Sequence, residues 1–145
     1  MLKKVLIALV ISIPLIIVGI AIYVSEVVFN TDNLCGENLL FESYSPNNDY
    51  KVLILERNCG ATTDFSTLVT AQIPNSDSKT EIFLADDDHG VTPHGRGRST
   101  RVETEWLAED SLAIYHHPNA RIYFSETKWN DLKIIYLGRV YYKSH

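Results

Sequence analysis

Thr63–Ile73 reads TDFSTLVTAQI. Phe65, Thr67, Val69, Ala71 and Ile73 fall at every second position, and a period of two puts them on one face of a β-strand. This is the clearest strand signal in the chain, and the flanking sequence follows the same pattern. Upstream, Tyr50–Glu56 (YKVLILE) is apolar on both faces at its middle, which predicts a central strand covered on both sides. Asn38–Tyr44 (NLLFESY) precedes it across Ser45-Pro46-Asn47-Asn48-Asp49, a dense turn signal, so the two are expected to form a hairpin. Gly60 provides the bend after Cys59, because glycine enters positive φ without steric cost.

Downstream, Pro74–Ser78 is a turn and Thr80–Leu84 the next strand. Arg101–Leu107 and Ser111–His116 form a second hairpin about Ala108-Glu109-Asp110. Arg121–Phe124, Leu132–Leu137 and Val140–Tyr142 complete the set. Trp106, Asp110 and Leu112 are echoed by Trp129, Asp131 and Leu132, a pattern expected of two hairpins in one sheet. No segment after residue 24 holds helical periodicity over three turns. The expected fold class is mainly β: an N-terminal transmembrane helix, then one small antiparallel β-sheet domain, a sandwich or an open barrel.

The helix is predicted from Val5–Val24, VLIALVISIPLIIVGIAIYV, which contains no charge. At 1.5 Å per residue it spans about 30 Å, the thickness of a bilayer's hydrocarbon core. A cleaved signal peptide is the competing reading, but the apolar run is long and no Ala-x-Ala site follows it. Lys3 and Lys4 precede the run, and Glu26 and Asp32 follow it. The positive-inside rule then places the N-terminus in the cytoplasm and the rest outside. The expected organisation is a signal-anchor over 1–24, a juxtamembrane stem over 25–33 and an extracytoplasmic β domain over 34–145. The expected location is the cytoplasmic membrane, single-pass, with the C-terminal domain in the periplasm or outside the cell.

The chain has 13 basic and 18 acidic residues. Without Lys3 and Lys4 the count is 11 against 18, a formal charge of −7. That balance argues against nucleic acid and against an anionic membrane surface, which both reward a basic face. Cys35 and Cys59 are the two cysteines, both beyond the span, and in an oxidising compartment they are expected to form a disulfide.

Ala85–Thr100 (ADDDHGVTPHGRGRST) is the one long irregular stretch, and loops of this length in small domains tend to carry function. Asp88, His89, His94, Arg96 and Arg98 are its candidate binding residues. Gly90–Arg96 falls short of a phosphate-binding loop, since Arg96 and Gly97 stand where lysine and serine or threonine are required. A metal site built from His89, His94, Asp86 and Asp88 is the alternative to a resident-metal-free, cofactor-free loop. Arg96, Arg98 and Arg101 form a basic cluster that either meets an acidic partner or balances Asp86–Asp88 and Glu103. No G-x-S-x-G elbow occurs, so an enzyme is not expected, and a hydrolase is the second alternative.

Ser45-Pro46-Asn47-Asn48-Asp49-Tyr50, then Gly60-Ala61-Thr62-Thr63, then the Trp106 strand resemble an uncharacterised family of small bacterial membrane-anchored proteins. The shared pattern is S-P-x-x-x-Y, G-A-T-T and a tryptophan strand, over Leu39–Tyr115. The resemblance implies a cell-envelope location and no known activity. Physically, Gly60 permits the turn, while Thr62 and Thr63 offer hydroxyls to its backbone and β-branched stems to the strand that follows. The function expected is a membrane-anchored protein-binding module with an envelope protein as partner, and an immunity or inhibitor role fits its size and acidity.

Overall fold

A computed structural model describes residues 13–25, 35–60 and 63–141. The chain divides into two compact units, Met1–Leu34 and Cys35–His145. In the first, residues 13–25 form a helix whose isoleucine, leucine and valine side chains are exposed. Among the described residues no helix is long and apolar enough to cross a membrane. The start of the expected span, residues 5–12, and the stem from residue 26 lie outside the described residues.

The second unit is all β among its described residues. Its strands are β1 (Gly36–Tyr44), β2 (Lys51–Asn58), β3 (Ser66–Gln72), β4 (Lys79–Asp86), β5 (Val102–Ala108), β6 (Ser111–His116), β7 (Arg121–Ser125), β8 (Lys128–Trp129) and β9 (Leu132–Gly138). They make a five-stranded sheet ordered β1-β2-β3-β4-β7 and a four-stranded sheet ordered β5-β6-β9-β8. Ser45–Asp49 closes the first hairpin as expected. Ser45 N–H donates to the Tyr50 carbonyl, and Asn48 takes a positive φ of 62°.

Two expectations need correction. The domain takes the two-sheet form, one of those expected, but it is not wholly antiparallel, since β6 pairs with β9 in parallel. After β6 the chain adds β7 to the other sheet and returns through β8, so β9 comes back beside β6 in the same direction. The two tryptophan hairpins, β5–β6 and β8–β9, do share a sheet. The second correction is at the C-terminal end: Val140 and Tyr141 are not in a strand, and Tyr142 lies outside the described residues.

Register explains the core. Val52 sits opposite Ala71, Ile54 opposite Val69, and Val69 opposite Phe83, so one face of the larger sheet presents them together. They pack against Val102, Leu112, Ile114, Leu132 and Ile134 of the smaller sheet. Phe83 stacks on Tyr136 at 5.5 Å and lies 5.7 Å from the His116 ring. Each such aromatic pair adds about 0.5–1.5 kcal/mol beyond its burial.

The alternation read in Thr63–Ile73 holds for Thr67, Val69 and Ala71, while Phe65 and Ile73 fall beyond the ends of β3. Its other face is buried too, at Leu68 and Thr70. Arg57 on β2 pairs with Glu37 on β1 and with Glu81 on β4, and Lys79 on β4 also reaches Glu37. A side chain that links β2 to β4 on this face must cross β3. The aliphatic stems of these charged residues therefore lie across Leu68 and Thr70 and shield them from water.

Cys35 and Cys59 are joined by a disulfide. They flank the paired residues Gly36 and Asn58, so the bond staples the open end of the β1–β2 hairpin. Replacing both with serine is expected to lower stability by roughly 3 kcal/mol in the chain-entropy model. Urea unfolding followed by tryptophan fluorescence reads this as a lower midpoint. An unchanged midpoint would mean the strand ladder alone fixes that end.

Candidate functional site

The two long sides of the sandwich are finished differently. On the β7–β8 side, the Glu126 N–H donates to the Ile82 carbonyl at 2.8 Å, and the Tyr136 hydroxyl donates to the Glu126 carbonyl at 2.7 Å. The first bond continues the β4–β7 pairing, and the second crosses from β9 of the smaller sheet and closes that side. The opposite side is bordered by the edge strands β1 and β5, each paired on one flank only. There the Trp106 indole N–H donates to the Ser43 hydroxyl at 3.2 Å and ties the two edges together. Between that tie and the loop after β4 lies a cleft of about 410 Å³. Its floor is apolar, with Leu40, Phe41, Ile54 and Val102, and its rim carries Arg96, Arg101 and Glu103. This volume is in the range of small-ligand and side-chain pockets. The Thr104 hydroxyl on its wall is buried and has no hydrogen-bond partner.

The loop that ends the cleft is held from below. Glu56 continues the inward row of Val52 and Ile54, so a carboxylate points into the sandwich where only 9% of the residue is exposed. The Arg98 backbone N–H donates to its Oε2. Opposite Glu56, the buried Thr67 hydroxyl donates to the Thr100 carbonyl at 2.6 Å, and the Ser99 hydroxyl lies 2.8 Å away. Thr92 and Thr100 join hydroxyls at 2.7 Å. Within the loop, the Gly95 N–H donates to the Ser99 carbonyl at 2.9 Å. A Cβ on Gly97 would run into the Glu56 carboxylate, so a larger residue there has to push that side chain aside. The stretch read as irregular is thus a packed cover over a polar patch of the sheet, with Thr92, Ser99 and Thr100 buried.

The candidate residues separate into two places. Arg96 and Arg98 stand over the rings of Phe41 and Phe65, at 5.0 and 4.3 Å from their centroids. Asp88 and His89 sit in a left-handed turn with Gly90, at φ of 49°, 61° and 84°. His94 Nε2 is hydrogen-bonded to Asp87 Oδ2 at 2.9 Å. Asp86, whose side chain is only 2% exposed, is opposite Arg121 across the β4–β7 ladder. It accepts from the Arg121 guanidinium, from the Tyr123 hydroxyl at 2.5 Å and from the Asp88 N–H at 2.9 Å. Burial alone would raise its pKa, but these donors outweigh it and hold the carboxyl below its ordinary range.

The metal alternative does not assemble. Among the described residues no group of three or more His, Cys, Asp or Glu side chains is placed to hold an ion. Arg121 stands where a cation would, within 3.4 Å of Asp88 as well as bonded to Asp86. His89 is 72% exposed and turned to Asp64 and Asp88, away from the His94–Asp87 pair. In the turn Gly60–Thr63, Gly60 has φ of 113° and the Thr63 N–H and hydroxyl both donate to its carbonyl. Ala61 and Thr62 lie outside the described residues. The sequence reading missed Glu56, Thr67, Phe41 and Arg121. Two of these left a trace there: Glu56 as an acidic residue in step with the inward Val52 and Ile54, and Thr67 as a polar member of the Val69 and Ala71 row.

The chain belongs to a family of unknown function, DUF5412, whose model matches residues 2–93. No curated protein and no solved structure matches it. The matched stretch includes Phe41, Ile54, Glu56 and Thr67, and Arg96 and the β5 wall of the cleft lie beyond it.

The Asp86 cluster makes stability depend on pH with a definite sign. A carboxyl whose folded pKa lies below its unfolded value, about 4, stabilises the fold above that value. The contribution fades as pH falls through the lower, folded pKa. Asp86→Asn is expected to flatten the acid limb of the urea midpoint below about pH 4. Equal acid limbs in the two proteins would show that Asp86 is not linked to folding.

Proposed function

We propose that this protein is a membrane-tethered, extracytoplasmic binding module, a rigid β-sandwich that holds a protein partner at the cleft between β1 and β5. The observation that carries the reading is the cleft itself: an apolar floor left open between two edge strands, with the Arg96 guanidinium standing over Phe41 at its rim. The opposite side of the same sandwich is closed by the hydrogen bond from the Tyr136 hydroxyl to the Glu126 carbonyl. Clefts with an apolar floor and a few placed polar groups are the usual form of a recognition site.

Several features support the address. Val5–Val24 is uncharged and long enough for a bilayer, and Lys3 and Lys4 precede it. The Cys35–Cys59 bond suits an oxidising compartment. The net negative charge beyond residue 4 suits neither nucleic acid nor an anionic surface. An envelope protein is the partner that this address makes accessible. No hydroxyl or thiol nucleophile is hydrogen-bonded to a histidine among the described residues, where the His94 bond goes to Asp87. The geometry therefore favours binding over hydrolysis.

The test is site-specific photo-crosslinking in cells. A photoreactive residue at position 96 is expected to trap one discrete partner. The same residue at position 77, on the far β3–β4 turn, is expected to trap none. Equal adducts from both positions, or none from 96, would remove the cleft as the contact face.

A further inference from the structure

The chain has six arginines, and the described structure treats them in two ways. Arg57, Arg101, Arg121 and Arg139 each pair with a carboxylate. Arg96 and Arg98 have no carboxylate within 4.0 Å of the guanidinium among the described residues, although the chain has more acidic than basic residues. Both lie against aromatic rings instead. Stacking covers one face of a guanidinium and leaves its N–H edges pointing outward, ready for a planar anion. Arg96 lines the apolar cleft itself, and Arg98 lies two residues on in the loop that ends it, against a different ring.

We propose that the cleft receives an extended acidic peptide segment of the partner protein. An apolar side chain enters among Leu40, Phe41, Ile54 and Val102, and a carboxylate farther along the same strand pairs with Arg96. This rests on the binding-module reading and names the partner's chemistry. Three observations fit a peptide. Among the described residues β1 and β5 are each paired on one flank only, and an extended chain laid between them has main-chain groups to offer their other edges. Alternation in an extended chain sends one side chain inward and leaves the next outside. Arg96 lines the same cleft with no carboxylate partner among the described residues, which favours a ligand that carries a carboxylate over an acyl chain. Carboxylate–arginine pairs are charge-assisted and geometrically specific.

The probe is a fluorescein-labelled peptide of alternating glutamate and leucine, titrated with the full-length protein in detergent micelles and read by anisotropy. Wild-type protein is expected to bind it, and Arg96→Glu to weaken binding about tenfold or more, equivalent to about 1.4 kcal/mol. Lys128→Glu, an exposed charge reversal on β8, is expected to leave binding unchanged. A peptide with glutamine for glutamate is expected to lose affinity for wild type to a similar degree. Equal weakening by Lys128→Glu would reduce the effect to net charge and overturn the proposal. Binding of phosphatidylglycerol vesicles through Arg96 in place of the peptide would also overturn it, and assign the arginine to a lipid headgroup. Failure of wild type to bind the acidic peptide, with a discrete adduct still trapped from position 96, would overturn the acidic-peptide assignment and leave the binding module standing.

Discussion

A carboxylate turned inward at the end of a sheet has to find donors, and Glu56 finds its donor in the loop that follows β4. Leaving a carboxylate buried and unpaired costs several kcal/mol, so the loop and the strand are bound to one another energetically. Thr67, opposite Glu56, adds its own bond to Thr100. Gly97 lets the backbone come down onto the carboxylate, which a side chain there would have to push aside. The cover this makes ends the cleft on one side, and the Trp106–Ser43 bond limits it beyond β5 and β1. Arg96 is carried to the rim by the same descent of the chain.

Much of the strand pattern was legible from alternation and turn chemistry. Ser111–His116 is β6 to the residue, and the turns at Ser45–Asp49 and Asp110 lie where proline, asparagine and aspartate put them. Neighbours joined by a short turn were legible, as in the β1–β2 and β5–β6 hairpins, but pairings between strands distant in the chain were not. Period two reports which residues share a face, and it is silent on which strand lies alongside, so the parallel pairing of β6 and β9 had no signal. Burial of the loop was hidden for a related reason. Thr92, Ser99 and Thr100 are polar, and polarity reads as solvent exposure unless the partners are known. Arg101 does balance Glu103, but Asp86 and Asp88 are met by Arg121 and Asp87 by His94. Those pairs depend on the β4–β7 register and on the fold of the loop, neither of which spacing reveals.

The sandwich itself provides rigidity without large size. β3 is buried on both faces, inward by Val69 and Ala71 against the second sheet, outward beneath the ion pairs that run from β1 to β4. Exposed ion pairs contribute little individually. Their long stems still exclude water from Leu68 and Thr70, which is a packing effect more than an electrostatic one. A stiff central strand beneath a hydrogen-bonded cover suits a module that presents a preformed surface. The family match covers the strands that make the floor of the cleft, while the arginine rim and β5 wall follow it in sequence.

The account stands or falls on the hold that Glu56 has on the loop, and amide hydrogen exchange of Gly97→Ala against wild type measures that hold residue by residue. The added methyl meets the carboxylate and pushes it away from the Arg98 amide. Exchange should then speed up at the Arg98 and Gly95 amides, which donate to Glu56 and to the Ser99 carbonyl, with β2 and β6 as protected as before. Unchanged protection at Gly95 and Arg98 would contradict it, because the loop would then be held by something other than the buried carboxylate.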